Sequence, residues 1–329
     1  MNIKQFSNSS EALDSRANPS FSVVIATHNR PEELKRAVAS ILNQSSLPNE
    51  IIIVDDASLP PVNIDLASFS KAAVPIHVIR NETAKGPAGA RNQGIFASVA
   101  EWVAFLDDDD EFLPAKIQRL KEFIADDKTG IEFVYHAARI KMVNEGVMYD
   151  TSPSPLPSDD TLYKSLLVQN IIGGTPMVAV KRAVLVANGG FDAKLKALED
   201  YELWIRLASR KVKFARMPEV LSVCYYTTKK VSVTKSENAS LATFRVIESK
   251  FQDAYRSLSV AESRAHELWK LDTMTHKAIL NLNYMATLCS VFKTLSFSRL
   301  RARYLALALA ALIGPRLIIY LRARLPRPA

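Results

Sequence analysis

Four consecutive carboxylates, Asp107-Asp108-Asp109-Asp110, follow the apolar run at 102–106. Carboxylates this close repel one another, so the run needs a compensating charge. A hard divalent cation supplies one, takes oxygen ligands and can neutralise a phosphate at the same time. On its own the run reads equally as a metal–diphosphate site or as a solvated acidic turn. Asp56 closes a second apolar run, 51–54. It is placed either to accept a hydrogen bond from a nucleobase N–H or to begin a turn before Ala57-Ser58. The stretch Lys85-Gly86-Pro87-Ala88-Gly89-Ala90-Arg91-Asn92 combines three features. Its glycines allow close backbone approach, its helix start favours anions, and Arg91 can pair with a phosphate oxygen. An exposed arginine at a plain helix start is the other reading. No Gly-Lys-Ser/Thr follows, so this is not a Walker A loop. Glu199-Asp200 opens a helical pattern, where an acid either complements the helix dipole or acts as a general base.

The elements that must carry these residues alternate. Residues 21–26 and 51–54 are short, β-branched and apolar, as buried strands are. Residues 76–79 and 102–106 make a third and a fourth strand. Between them lie a helix begun by Pro31, with Leu34, Val38, Ile41 and Leu42 on one face, and a helix over 88–100. Pro114 starts another. Short strands alternating with helices predict a mostly parallel sheet with helices on both faces. Ligands of such sheets bind beyond the carboxyl ends of the strands. Ala26-Thr27, Asp55-Asp56 and the acidic run all fall at those ends, so three strand ends converge on one crevice. Residues 152–157 read as a loop and Gly189-Gly190 as a turn. From about Ser236 helical spacing dominates. The division expected is an N-terminal tail over 1–19, a catalytic domain over 20–235 and a helical region over 236–329.

The chain has 329 residues, 48% of them hydrophobic and 23% charged. Its two cysteines, Cys224 and Cys289, have no ligand spacing, which fits a reducing cytoplasmic setting. Residues 1–20 lack the apolar stretch of a signal peptide. The net charge is +8. After Asp272 come Lys277, Lys293 and seven arginines with no acid, about +9 in all, which leaves residues 1–272 close to neutral. No nucleic-acid partner is expected.

Five short stretches in order resemble the inverting family-2 glycosyltransferases of the GT-A fold. They are Val23-Val24-Ile25-Ala26-Thr27-His28-Asn29-Arg30, Ile53-Val54-Asp55-Asp56-Ala57-Ser58, Gly86-Pro87-Ala88-Gly89-Ala90-Arg91-Asn92, Phe105-Leu106-Asp107-Asp108-Asp109-Asp110 and Glu199-Asp200-Tyr201-Glu202-Leu203-Trp204. The resemblance covers roughly residues 20–232. It implies a nucleotide-diphospho-sugar transferase fold of the α/β class and a nucleotide-sugar donor. It assigns Asp56 to the nucleobase, with Ala26, Thr27 and Asn29 lining the same pocket and Gly86 and Arg91 near the nucleotide. It assigns Asp107 and Asp109 to a Mn²⁺ or Mg²⁺ ion, with Asp107 also near the donor. It makes Asp200 the catalytic base and Glu199 its neighbour. The chain departs from the family after Tyr225-Tyr226. Many relatives place a histidine there, and this chain has Thr227, Thr228, Lys229 and Lys230. These two lysines read as a solvated basic loop or as diphosphate contacts.

The implied setting is bacterial envelope polysaccharide synthesis, with a glycan or lipid-linked acceptor. Residues 304–313 and 317–321 are apolar, and arginines flank both pieces. Gly314-Pro315-Arg316 between them interrupts the ~20-residue apolar run that a simple span needs and argues against one. The tail is expected to lie on an anionic membrane, holding the protein at the inner face of the plasma membrane. A helical pair packed on the catalytic domain is the alternative. A sugar-phosphate nucleotidyltransferase would carry a glycine- and lysine-rich triphosphate loop where Thr27-His28-Asn29-Arg30 stands. An inactive membrane-tethered scaffold would not be expected to retain Asp107, Asp109 and Asp200.

Overall fold

The computed structural model describes residues 18–63, 74–228, 237–297, 317, 319 and 320. Two compact units interleave along the chain. One comprises 1–138, 174–193 and 210–224, the other 139–173, 194–209 and 225–329.

The first unit begins with β1 (Phe21–Thr27), α1 (Pro31–Leu42), β2 (Glu50–Asp55), β3 (Ile76–Arg80), α2 (Gly86–Ala97) and β4 (Trp102–Asp107). β1, β2 and β4 are buried along almost their whole length, as parallel strands covered on both faces must be. Then come β5 (Glu111–Phe112) and α3 (Lys116–Ala125). Phe21, Val23, Ile25, Ile51, Ile53, Trp102, Ala104 and Leu106 share one core with Leu34, Val38 and Ile41 of α1 and Ile117, Leu120 and Ile124 of α3. The alternate residue Val24 faces the other way, onto α2. Gly94 allows that approach, because a Cβ there would stand 2.3 Å from Val24 Cγ1.

The remaining strands are β6 (Phe133–Met142), β7 (Val147–Asp150), β8 (Val178–Lys181) and β9 (Phe214–Tyr226). The sheet runs β3-β2-β1-β4-β8-β6-β9-β5, with β7 on β6. β3, β2, β1 and β4 are parallel. The pairs β4–β8, β8–β6, β6–β7 and β5–β9 are antiparallel. The change of sense follows from the connections. α1 carries the chain from β1 to β2 and α2 carries it from β3 to β4, whereas β6 and β7 need only a tight turn. Register sets the strand ends in one row, with Thr27 beside Asp55 and Ala26 beside Asp107. A 3₁₀ turn, Thr175–Met177, leads into β8.

The second unit is mainly helical. It holds α4 (Asp159–Val168) and, after the short α5 (Arg182–Ala187) of the first unit, α6 (Glu199–Ser209), α7 (Glu237–Lys250), α8 (Gln252–Arg256), α9 (Val260–Leu280) and α10 (Tyr284–Phe297). α6 is fixed along its length. Tyr201 Oη donates to Leu166 O at 2.7 Å and Trp204 Nε1 to Gly173 O at 3.1 Å. Glu202 is fully buried, and it is paired with Arg206 at 2.9 Å and Lys250 at 2.7 Å. A buried acid needs such partners, because an uncompensated charge in the interior is strongly destabilising. Among the described residues no helix is long and apolar enough to cross a membrane. Most of the basic tail, together with Lys229 and Lys230, lies outside the described residues. Ile319 is buried and Tyr320 Oη donates to Glu145 O at 2.9 Å.

Candidate active site

The acidic run turns sharply as β4 ends, and Asp110 N donates to Asp107 O at 3.0 Å. Each carboxylate of 107–109 then meets a side-chain donor, and Asp108 and Asp109 share one. Arg91 Nη2 donates to Asp107 Oδ1 at 2.6 Å, and Thr175 Oγ1 donates to the same oxygen at 3.2 Å. Thr27 Oγ1 donates to Asp108 Oδ2 at 2.8 Å. Arg30 Nη1 donates to Asp108 Oδ1 at 2.9 Å and to Asp109 Oδ2 at 2.8 Å. Burial pushes the Asp108 carboxyl up to about 6, against the pull of Arg30 and helped by the charge of Asp109. Asp108 is therefore an inward strut, and its neighbours on either side face the crevice. The side chains of Asp107 and Asp109 are 32% and 35% exposed.

Arg91 is almost buried, beneath the ring of Phe191 at 5.7 Å. Its placement depends on Asn92. Asn92 Nδ2 donates to Phe191 O at 2.8 Å and Phe191 N donates to Asn92 Oδ1 at 2.7 Å, a reciprocal pair that ties α2 to the turn after α5. Gly190 completes that turn with φ +66°, and a Cβ there would fall 2.2 Å from Asn92 Oδ1.

Asp56 is buried and organises the loop that leads into α2. Its Oδ1 accepts from Asn81 Nδ2 and from Lys85 N, and its Oδ2 from Gly86 N, each at 2.8 Å. Gly86 has φ +75°, which lets both successive amides of the α2 start aim at one carboxylate. A carboxylate offers about four acceptor positions, so one on Oδ2 remains. Asp55 braces the segment after β2 through the amides of Ser58 and Val62, and ties it to Arg80 at the end of β3.

Beneath the acidic turn lies a lysine with no exposed surface. Lys116 Nζ donates to Pro176 O at 2.7 Å and to Ser222 Oγ at 3.1 Å, and sits 3.6 Å from the Phe112 ring centroid. Burial drives its pKa well below the ordinary lysine value, opposed by the nearby Cys224 and Asp110. In the second unit, Glu199 and Asp200 form the first turn of α6, and Tyr201 N donates to Asp200 Oδ1 at 2.7 Å.

The Glycosyl transferase family 2 model matches residues 22–186. The chain belongs to that family. This glycosyltransferase is 32% identical to an uncharacterised glycosyltransferase of Haemophilus influenzae, over 92% of this chain and 98% of the relative. It is 27% identical to the amylovoran biosynthesis glycosyltransferase AmsB of Erwinia amylovora, over 85% and 89%. Among solved structures, TarS of S. aureus aligns with a TM-score of 0.51 at 21% identity, over 93% of this chain and 53% of TarS, and shares the fold.

In the glycosyltransferase's first unit, Thr27, Arg91, Asp107 and Asp109 are thus drawn to one turn, and Asp56 and Gly86 to one loop. Thr175, Arg30 and Lys116 carry no role in the sequence reading. The Gly173-Gly174-Thr175-Pro176 turn was the available signal for Thr175. The two outer acids suit a hard cation. Asp107 Oδ2 accepts nothing from the described residues, and two carboxylates completed by phosphate oxygens and water are the usual holding for Mg²⁺.

Proposed function

We propose that this glycosyltransferase moves a sugar from a nucleotide-sugar donor to an acceptor hydroxyl with inversion, using Mn²⁺ or Mg²⁺. The observation that carries the reading is the turn at the end of β4. Two half-exposed acids, Asp107 and Asp109, flank an inward Asp108, with Arg91 and Arg30 beside them. Asp107 and Asp109 would hold the cation, which when bound neutralises the diphosphate and stabilises its departure. Asp56 would take a base N–H on its remaining Oδ2 position, and Ala26, Thr27 and Asn29 would line that pocket. Gly86 brings backbone close to the nucleotide, and Arg91 supplies a fixed positive charge. Asp200, at the start of α6, would take the proton of the attacking hydroxyl. Attack from the face opposite the leaving group gives inversion in a single displacement. Glu199 would shape the charge around that base.

The named relatives support a bacterial polysaccharide as the product. AmsB acts in amylovoran biosynthesis, and WcaA of Escherichia coli, 28% identical over 67% of this chain, is named for colanic acid. A glycan or lipid-linked acceptor follows. The basic tail would then hold the enzyme on an anionic membrane at the cytoplasmic face. The Tyr320 contact supports a tail that is partly packed on the protein.

The test is to incubate the protein with a panel of nucleotide sugars and Mn²⁺ and to measure nucleoside diphosphate release. Release with one donor, abolished by chelator and by Asp109→Ala, is expected. Equal release with and without chelator would remove the metal from the mechanism.

A further inference from the structure

Arg30 is held in place before any ligand arrives. It ends a loop in which Asn29 has φ +55°. Asn29 N donates to Ser58 Oγ at 2.9 Å, and Leu59 N donates to Asn29 Oδ1 at 2.7 Å. His28 Nδ1 stands 2.6 Å from Asp56 O. The loop is therefore tied to the segment after β2, while Leu34 N donates back to Arg30 O at 3.0 Å as α1 begins. From this anchored backbone a single nitrogen, Arg30 Nη1, bridges the neighbouring carboxylates of Asp108 and Asp109. That is where an oxygen-liganded cation would also bring its charge. Asp107 is served separately by Arg91 and Thr175.

We propose that Arg30 is a displaceable counter-cation of the acidic turn, which releases Asp109 to a divalent cation only when a diphosphate arrives to pair with the freed guanidinium. The inference rests on the metal-dependent reading above. Its logic is charge exchange. A bare cation entering at Asp109 must push a guanidinium off a carboxylate and then sit beside it, positive against positive. A diphosphate removes both penalties, since it ligates the metal and offers the arginine a pair of oxygens as good as the carboxylates it lost. Cation and diphosphate should therefore bind cooperatively, each strengthening the other by the same factor. Arg30 becomes the residue that keeps the site from filling with metal alone.

The experiment titrates Mn²⁺ into the full-length protein by calorimetry, alone and with saturating UDP or GDP as probes, with Mn²⁺–nucleotide binding in buffer subtracted. Wild type should bind Mn²⁺ about tenfold or more tightly with nucleotide than without, the scale of ordinary site-to-site coupling. Arg30→Ala should bind Mn²⁺ alone about tenfold more tightly than wild type, and the further gain from nucleotide should be smaller than in wild type, with only the diphosphate's own ligation of the metal left to supply it. Asp109→Ala in parallel identifies the site and should lose both effects. If Arg30→Ala fails to fold by circular dichroism, Arg30→Gln, uncharged but still able to hydrogen-bond the turn, repeats the comparison. Mn²⁺ affinity in the arginine variant no higher than in wild type overturns the proposal. Absence of Mn²⁺ binding in wild type, even with nucleotide, instead overturns the metal reading and the proposal with it.

Discussion

Asp108→Asn tests whether the central acid of the turn is a strut. The side chain is 7% exposed, with Thr27 on one oxygen and Arg30 on the other. Burial outweighs the attraction of Arg30, and the carboxyl is pushed from 3.8 to about 6. Between those two values the native state keeps the proton that the unfolded chain has released. Stability from this group is therefore fully present below the unfolded pKa and is lost as pH rises towards the native one. A gap of about 2 pH units at about 1.4 kcal/mol each gives a loss of about 3 kcal/mol. That is a large share of a domain's usual ~5–15 kcal/mol. Asparagine keeps the shape and does not titrate. The assay is urea unfolding of wild type and variant in chelator, from about pH 4 to about pH 7, where all other ionisations are common to both and cancel. Wild type should lose about 3 kcal/mol relative to Asp108→Asn across that window. A difference that stays flat, or that moves in favour of wild type as pH rises, would show that Arg30 keeps the acid ionised and would refute the argument.

Asp200→Asn removes the proton acceptor and should lower turnover by ~10²-fold or more while donor binding, measured by calorimetry, is kept. Near-normal turnover would take the base role from Asp200. Gly94→Val forces carbon into the space held by Val24 and should cost about 1–3 kcal/mol in thermal or urea unfolding, with α2 displaced from β1. An unchanged midpoint would mean the helix moves without penalty. Deleting the residues after 296 should release the protein from anionic vesicles in co-sedimentation at low salt, since each arginine near such a surface contributes ~1 kcal/mol. Full-length protein that already stays in the supernatant refutes the membrane role.

What the sequence made legible is local. Near-continuous apolar runs mark β1, β2 and β4, and acids at their ends mark the crevice. Pro31 at the start of α1 fixes that boundary. What stayed hidden depends on residues distant in sequence. Thr175 reaches Asp107 from a 3₁₀ turn with no periodic signature. Lys116 begins a helix, where a lysine reads as a surface residue. Its partners Pro176 and Ser222 come from segments far along the chain. Glu202 shows the same limit. Its charge is visible in the sequence, but the second cation that permits its burial, Lys250, lies on α7. Asn29 is a residue type that tolerates its left-handed backbone, but the pairing of the neighbouring Arg30 with a turn distant in sequence has no local signal.

The Asn92–Phe191 clasp constrains how this enzyme can evolve. Position 190 cannot gain a side chain while position 92 keeps its amide, because the new carbon would occupy the site of Asn92 Oδ1. Position 92 cannot shorten without losing both of its hydrogen bonds to the backbone of Phe191. A shorter residue at 92 would clear the space at 190, but it would neither relieve the positive φ there nor restore the bonds to Phe191. Arg91 precedes Asn92, and its guanidinium packs under Phe191. Descendants of this sequence should therefore inherit the arginine, the asparagine and the glycine turn together, as one epistatic block, even where the surrounding loops diverge freely.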